Sequence, residues 1–286
     1  MTLPLPTIAS RVMTFAPVSF PRIITKLQGL LDNQNATAEV IVNLLVTDPL
    51  LCAGVLGKAN SLQTCLSVAH AVSSLGLEAV QGILRETEPV PVGSRHLLAS
   101  WADEANATSM MTRILVRWLQ VRRRIGALPG LDDEGLRLLG LTHNLGTAVA
   151  MLAFPVQYHA ASQDKPAKPF RHRLKEALGI ASGDLGYMLA KQWLLPDLIA
   201  EINRHVHHPL ELEGEHQLPA VAVHVARTLV RAVGLAAGND RHLDTVEPQC
   251  FHVLNLRTSD CDAILVQFLD TWDEQEDYEP GGGQIG

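Results

Sequence analysis

Leu139-Gly140-Leu141-Thr142-His143-Asn144-Leu145-Gly146 places an imidazole directly before a carboxamide inside an apolar, helix-forming run. A His-Asp pair at this point would supply a neutral nitrogen and an anionic oxygen, a ligand set for a hard or borderline divalent cation. Asn144 offers only a neutral carbonyl oxygen, and the other atom of its head group is a donor that faces a metal unfavourably. The stretch therefore decides between a metal enzyme and an enzyme-shaped module with other work. His143 also has an ordinary reading, as a core residue satisfied by a hydrogen bond.

Working outward, Leu136, Leu139, Leu141, Leu145, Val149 and Leu152 recur at helical spacing, which predicts one helix from about Asp133 to Phe154 with His143-Asn144 midway along it. Similar stripes predict helices over Pro21–Leu31, Ala36–Val46, His96–Arg123, Arg171–Leu178, Ser182–Trp193, Pro196–His208, Pro219–Val233 and Ser259–Thr271. Asp48-Pro49 reads as an N-cap followed by proline at the first helical position, opening a helix that Asn60-Ser61 closes. Gly54 and Gly57 inside that helix each cost up to about 1 kcal/mol against alanine, so close packing by a neighbouring helix is expected there. Two short helices, Ala69–Leu75 and Leu77–Leu84, hinge at Gly76. Glu88-Pro89-Val90-Pro91-Val92-Gly93 cannot continue a helix and reads as a linker. No long strand pattern and no internal repeat is present, so the fold class is all-α.

Composition sets the same frame. The 286 residues are 47% hydrophobic and only 5% aromatic, dominated by Leu, Ala and Val, which favours packed helices. No apolar run approaches the roughly 20 residues that span a bilayer, and the first residues resemble no signal peptide, so a soluble, cytoplasmic protein without membrane contact is expected. Cys52, Cys65, Cys250 and Cys261 show no CxxC spacing and are expected to be free thiols. Asp270, Asp273, Glu274, Glu276, Asp277 and Glu279 form a run without a base; without these six, the formal charge of −7 shrinks to −1. A body so nearly neutral is not expected to bind nucleic acid directly. Arg122-Arg123-Arg124 falls where a long helix ends and is expected to interact with its dipole and with solvent.

Several segments together resemble the HDOD family, a degenerate offshoot of the HD-domain phosphohydrolases. Asp48-Pro49-Leu50-Leu51, Val55-Leu56 and Ala59-Asn60-Ser61 are similar to its DPxL…vLxxaNS signature, and Ala71-Val72 with Leu75-Gly76 to the element that follows. Residues 139–146 resemble its GLLHDIG segment; Leu185-Gly186 with Trp193-Leu194-Leu195-Pro196, and His207-His208-Pro209, resemble later motifs. The matches run in order over residues 4 to 230. The resemblance implies a two-lobed helical fold: an N-terminal lobe over 1–88, an HD-like helical bundle over 94–271, and an acidic, Gly-rich tail over 272–286 that is expected to be disordered.

Metal-active members of the wider superfamily hold one or two divalent ions that activate water against a phosphate ester. Carried over by register, their first His falls at Asp103, their His-Asp pair at His143-Asn144, a further His at Ser182 and their last Asp at Arg227. His207 and His208 keep the family residues. Asp103, His143, Asn144, Ser182, His207, His208 and Arg227 thus mark a relict pocket with no expected catalytic residue, metal or cofactor. Arg227 is expected to replace the metal's charge by pairing with Asp103 or Glu104. His205, His207 and His208 form a histidine-dense run able to take an adventitious divalent metal.

The resemblance implies a bacterial signal-transduction module that acts by binding, with signalling proteins as partners. The alternatives are a metal-dependent phosphohydrolase on a nucleotide or cyclic dinucleotide, and a sensor that binds such a nucleotide in the relict pocket without cleaving it.

Overall fold

The computed structural model describes residues 3–32, 37–163, 168–237, 240, 242–243 and 245–273. The acidic, Gly-rich run from 274 to 286 lies outside them.

Pro4 opens α1 (Leu5–Met13), and Pro21 opens α2 (Pro21–Asp32). The Thr37 hydroxyl accepts the Val40 N–H to cap α3 (Ala38–Leu45), and Asp48 accepts from Leu51 at 3.1 Å to cap α4 (Pro49–Asn60). Each cap satisfies an amide that the first helical turn would otherwise leave orphaned. Gly76, at φ 76°, is the hinge between α5 (Val68–Leu75) and α6 (Leu77–Glu86), a left-handed conformation that glycine takes without a Cβ penalty. The expected linker then does more than connect. Glu88–Pro89 (β2) pairs in parallel with Val18–Ser19 (β1), and Ser19 in turn donates to Asp48 Oδ2 at 2.6 Å.

The second part begins with the long α7 (Arg95–Val121), followed by α8 (Asp133–Leu141) and α9 (Leu145–Ala153). The single helix expected from Asp133 to Phe154 is therefore two. The apolar stripe runs through the break because both helices are buried, so periodicity alone could not reveal it. After α10 (Pro155–Ser162) come α11 (Phe170–Leu178), α12 (Ser182–Gln192) and α13 (Asp197–His205). The chain closes with α14 (Gln217–Ala232), α15 (Pro248–Val253) and α16 (Thr258–Asp273). All four cysteines are free. Among the described residues no single helix is long and apolar enough to cross a membrane.

Two apolar cores meet along α7. Leu98, Trp101, Ala102 and Ala105 belong to a large core shared with α1–α6 and α8–α13. Ala107 to Leu119 belong to a second core built with α14, α15 and α16. α14 crosses the same seam, with Val223 in the first core and Val225 in the second.

Gly54 and Gly57 are indeed sites of close approach, though by a loop and a helix end rather than by a packed helix. A Cβ on Gly54 would meet the Pro17 ring at 2.7 Å, and one on Gly57 would stand 2.2 Å from the Trp193 carbonyl oxygen.

Candidate functional site: a buried ion network between two helices

Trp101, Glu104 and Thr108 lie three and four residues apart on α7 and share its buried face. Asp103 is rotated off that face and is only half-buried. It is Glu104, 1% exposed, that reaches across to α14. Arg227 Nε donates to Glu104 Oε1 at 3.2 Å. Arg231, one turn further along α14, grips the carboxylate with two nitrogens: Nε to Oε1 at 2.8 Å and Nη2 to Oε2 at 3.1 Å. The Ala237 amide donates to the same carboxylate. Asp240 completes the group, with its Oδ2 at 3.0 Å from Arg231 Nη2 and 3.5 Å from Arg227 Nη2.

Two carboxylates thus meet two guanidinium groups, and the buried charge sums to zero. Burial alone would raise the Glu104 carboxyl, but Arg231 and Arg227 pull it down to about 2. Burial would likewise lower Arg231, yet Glu104 and Asp240 hold it above its ordinary value. Asp103, which has no such partner among the described residues, is pushed up by burial to about 6.

His143 sits in the break between α8 and α9, 1% exposed. Its Nδ1 lies 2.6 Å from the Gly140 carbonyl oxygen, which can only accept, so Nδ1 carries the proton. Burial, with Arg227 close by, drives the ring down to about 3, and it is neutral at ordinary pH. The Nε2 lone pair is buried and has no hydrogen-bond partner among the described residues.

Asn144 is occupied as a structural residue. Its carbonyl accepts from Trp101 Nε1 at 2.9 Å, and its side-chain oxygen accepts from the Thr147 hydroxyl at 2.6 Å. The break itself is clamped by Asn203 of α13, which donates to the Thr142 and Ile199 carbonyls and accepts from the Leu145 amide at 2.9 Å. Ser182, at the start of α12, approaches through its backbone: a Cβ on Gly146 would stand 1.7 Å from the Ser182 oxygen. His207 is half-buried and His208 exposed on the turn after α13. His205 faces Glu201 at 3.5 Å and Glu211 at 3.4 Å.

The donor set does not fit a divalent cation. Both oxygens of Glu104 are taken by cationic or amide donors, and the side chains that face it from α14 are guanidinium groups, which have no acceptor to offer a cation. Among the described residues no three His, Cys, Asp or Glu side chains converge as a ligand group, the run His205, His207 and His208 included. Sequence reasoning found Arg227 and offered Glu104 beside Asp103, but it missed Arg231, Asp240 and Asn203. Arg231 was open to inference, since it lies four residues after Arg227 and so on the same helix face. Asp240 and Asn203 act through loop and tertiary placement that no local pattern carries.

Comparison with known proteins bears on the fold and the family. The fold matches the MmoQ response regulator of Methylococcus capsulatus str. Bath over 87% of this chain and 98% of that one, with a TM-score of 0.64 at 16% identity. It matches a virulence factor of Campylobacter jejuni subsp. jejuni over 88% of this chain and all of that one, with a TM-score of 0.59 at 14% identity. An HDOD domain protein with unknown function from Geobacter sulfurreducens shares 17% identity over 94% of both chains, with a TM-score of 0.50. No match was found among curated protein sequences. The HDOD domain model covers residues 18–209, from β1 to the turn after α13, and the chain belongs to the HDOD domain family.

Proposed function

We propose that the chain is a non-catalytic regulatory module of bacterial signal transduction, working in the cytoplasm by binding signalling proteins, with its ancestral hydrolase pocket converted into a structural ion network. The observation that carries this reading is the Arg227–Glu104–Arg231–Asp240 group, which puts fixed positive charge where a hydrolase needs a metal and an activated water. Asn144, committed to Thr147 and without the anionic oxygen of a metal pair, completes the departure; only the neutral His143 ring is left of that pair. The MmoQ response regulator shares the fold, which supports a place in signalling.

The test is metal analysis of the purified protein together with a phosphodiesterase assay in Mn²⁺ or Fe²⁺. The expected result is no stoichiometric metal and no turnover above background. Bound metal at one equivalent or more, with turnover lost in His143→Ala, would overturn the proposal.

A further inference from the structure

Among the described residues, three other than glycine stand at positive φ: Arg123, Leu194 and Asn255. Asparagine adopts that conformation more readily than most residues, and Arg123 is an exposed polar residue. Leu194 is the apolar one. It stands at φ 56° where α12 ends, its own amide donating to the Lys191 carbonyl and the Leu195 amide to the Ala190 carbonyl at 2.8 Å. Glycine fills that place in such helix ends without a Cβ penalty, whereas a leucine there is strained. Burial does not offset the strain, because the side chain is 54% exposed. Leu194 instead forms part of the wall of a pocket of about 390 Å³. Strain that the packing does not repay points to a use at that wall.

The pocket lies where α4, α6 and the turn after α1 meet the end of α12, and none of its lining comes from α7 or α14. Pro17, Ile83, Trp193 and Leu194 give it an apolar wall, and Gly54 and Gly57 leave the α4 backbone bare beside them. The wall is braced. The Pro17 ring rests against Gly54 and the Trp193 backbone against Gly57, while Trp193 Nε1 donates to the Phe15 carbonyl at 3.2 Å. Of the other polar side chains in the lining, three are committed to backbone carbonyls: Ser61 to Lys58 at 2.7 Å, Thr87 to Ile83 at 2.8 Å and Gln192 to Met13 at 3.1 Å. The Lys58 ammonium and the Glu86 carboxylate are exposed and make no ion pair or hydrogen bond, with each other or with any described residue. They are the two groups left to address a ligand.

We propose that this pocket binds a free amino acid with an apolar side chain, in its zwitterionic form. Lys58 takes the carboxylate, Glu86 takes the ammonium, and the side chain packs against Pro17, Ile83 and Leu194. The charges decide the class. One uncommitted cation and one uncommitted anion beside an apolar wall select a ligand that carries both charges and no net charge. A nucleotide phosphate would meet Lys58 but be repelled by Glu86, and a plain hydrocarbon would desolvate both charges without answering either. The volume falls within the range of about 300–1,000 Å³ typical of small-ligand pockets, and the braced wall is formed before the ligand arrives. Because the lining comes from both α4–α6 and α12, the bound ligand bridges the segments on either side of residues 88–94. The site is separate from the ion network around Glu104, so it adds an input to a signalling module and does not depend on that network.

The experiment is calorimetric titration of the full chain with L-leucine and with L-phenylalanine. Parallel titrations use phenylalaninamide, which lacks the carboxylate, N-acetylphenylalanine, which lacks the ammonium, and glycine, which lacks the apolar side chain. Saturable one-site binding is expected for at least one of the two free apolar amino acids, about tenfold weaker or worse for each blocked analogue, and absent for glycine. Lys58→Gln and Glu86→Gln should each weaken it about tenfold, and both positions are exposed, so the variants should keep the fold. Leu194→Gly separates ligand binding from structure: it should raise the melting temperature by relieving the positive φ, and weaken binding by removing part of the wall. A residue with only a structural role would leave the affinity unmoved. No saturable binding of either free amino acid at millimolar concentration, blocked analogues bound as tightly as phenylalanine, or binding indifferent to Lys58, Glu86 or Leu194 overturns the proposal.

Discussion

His143 and Asp103 are both shifted by burial, in directions that oppose each other in stability. The His143 ring titrates near 3 in the fold against an ordinary 6.5, so between these values the unfolded chain binds the extra proton. Its contribution is complete above about pH 6.5 and declines by about 1.4 kcal/mol per pH unit as the solution is acidified toward 3. Asp103 titrates near 6 against an ordinary 3.8, so here the folded chain holds the extra proton. Its contribution is complete below pH 3.8 and is lost as pH rises through 6. Between pH 4 and 6 the two slopes offset one another. Asp103→Asn should expose the histidine slope, making stability rise with pH more steeply than in the parent by up to about 1.4 kcal/mol per unit across that window. Urea unfolding at half-unit pH steps reads this directly; parallel curves for parent and variant would refute it. The same pair shows how far residue-level reading reaches. The sequence register pointed to Asp103, and only the helical phase around Trp101 shows that Glu104 is the residue turned inward.

At the scale of elements, local signals were legible where local chemistry makes the structure. Asp48-Pro49 announced α4 because an N-cap and a proline act within one turn. The break between α8 and α9 was hidden because the groups that stabilise it come from elsewhere: Trp101 holds the Asn144 carbonyl, and Asn203, 58 residues past Leu145, satisfies the amide and carbonyl that the interrupted helix leaves open. Replacing Asn203 by leucine keeps the volume and removes those partners. With two buried backbone groups stranded, the loss should be about 3 kcal/mol or more. Hydrogen exchange should locate it, with the Leu145 amide losing protection ahead of the α7 amides. An unchanged Leu145 amide in a destabilised variant would show that Asn203 acts through packing alone. Short α1, α10 and α15 escaped the sequence reading for a related reason: their few buried positions make too short a stripe to separate from loop.

For the whole molecule, the sequence suggested two lobes divided near residues 88–94, and the contacts between those segments are extensive. α1 packs on α9 and α12 rather than only on its own neighbours, and Arg11 donates to the Ala153 carbonyl at 2.8 Å. Trp193 Nε1 reaches the Phe15 carbonyl, and Glu134 joins α8 to the start of α5. The large apolar core runs through both segments without interruption. A chain joined in this way should melt in one transition, with calorimetric and van't Hoff enthalpies equal, and residues 94–271 alone should not fold stably. Gly57 gives the most local test of the join. An alanine there must push against the Trp193 backbone oxygen, 2.2 Å from the new Cβ, which a peptide in a helix end cannot yield as a flexible side chain would. Overpacking of that kind costs about 1–3 kcal/mol. Gly82→Ala in α6 meets nothing within 4 Å and should instead gain up to about 1 kcal/mol from helix propensity. If the two parts are one cooperative unit, Gly57→Ala lowers the single melting transition as a whole. If a second transition separates and only the one reporting residues 1–88 moves, the parts fold independently and the seam is a docking contact between them.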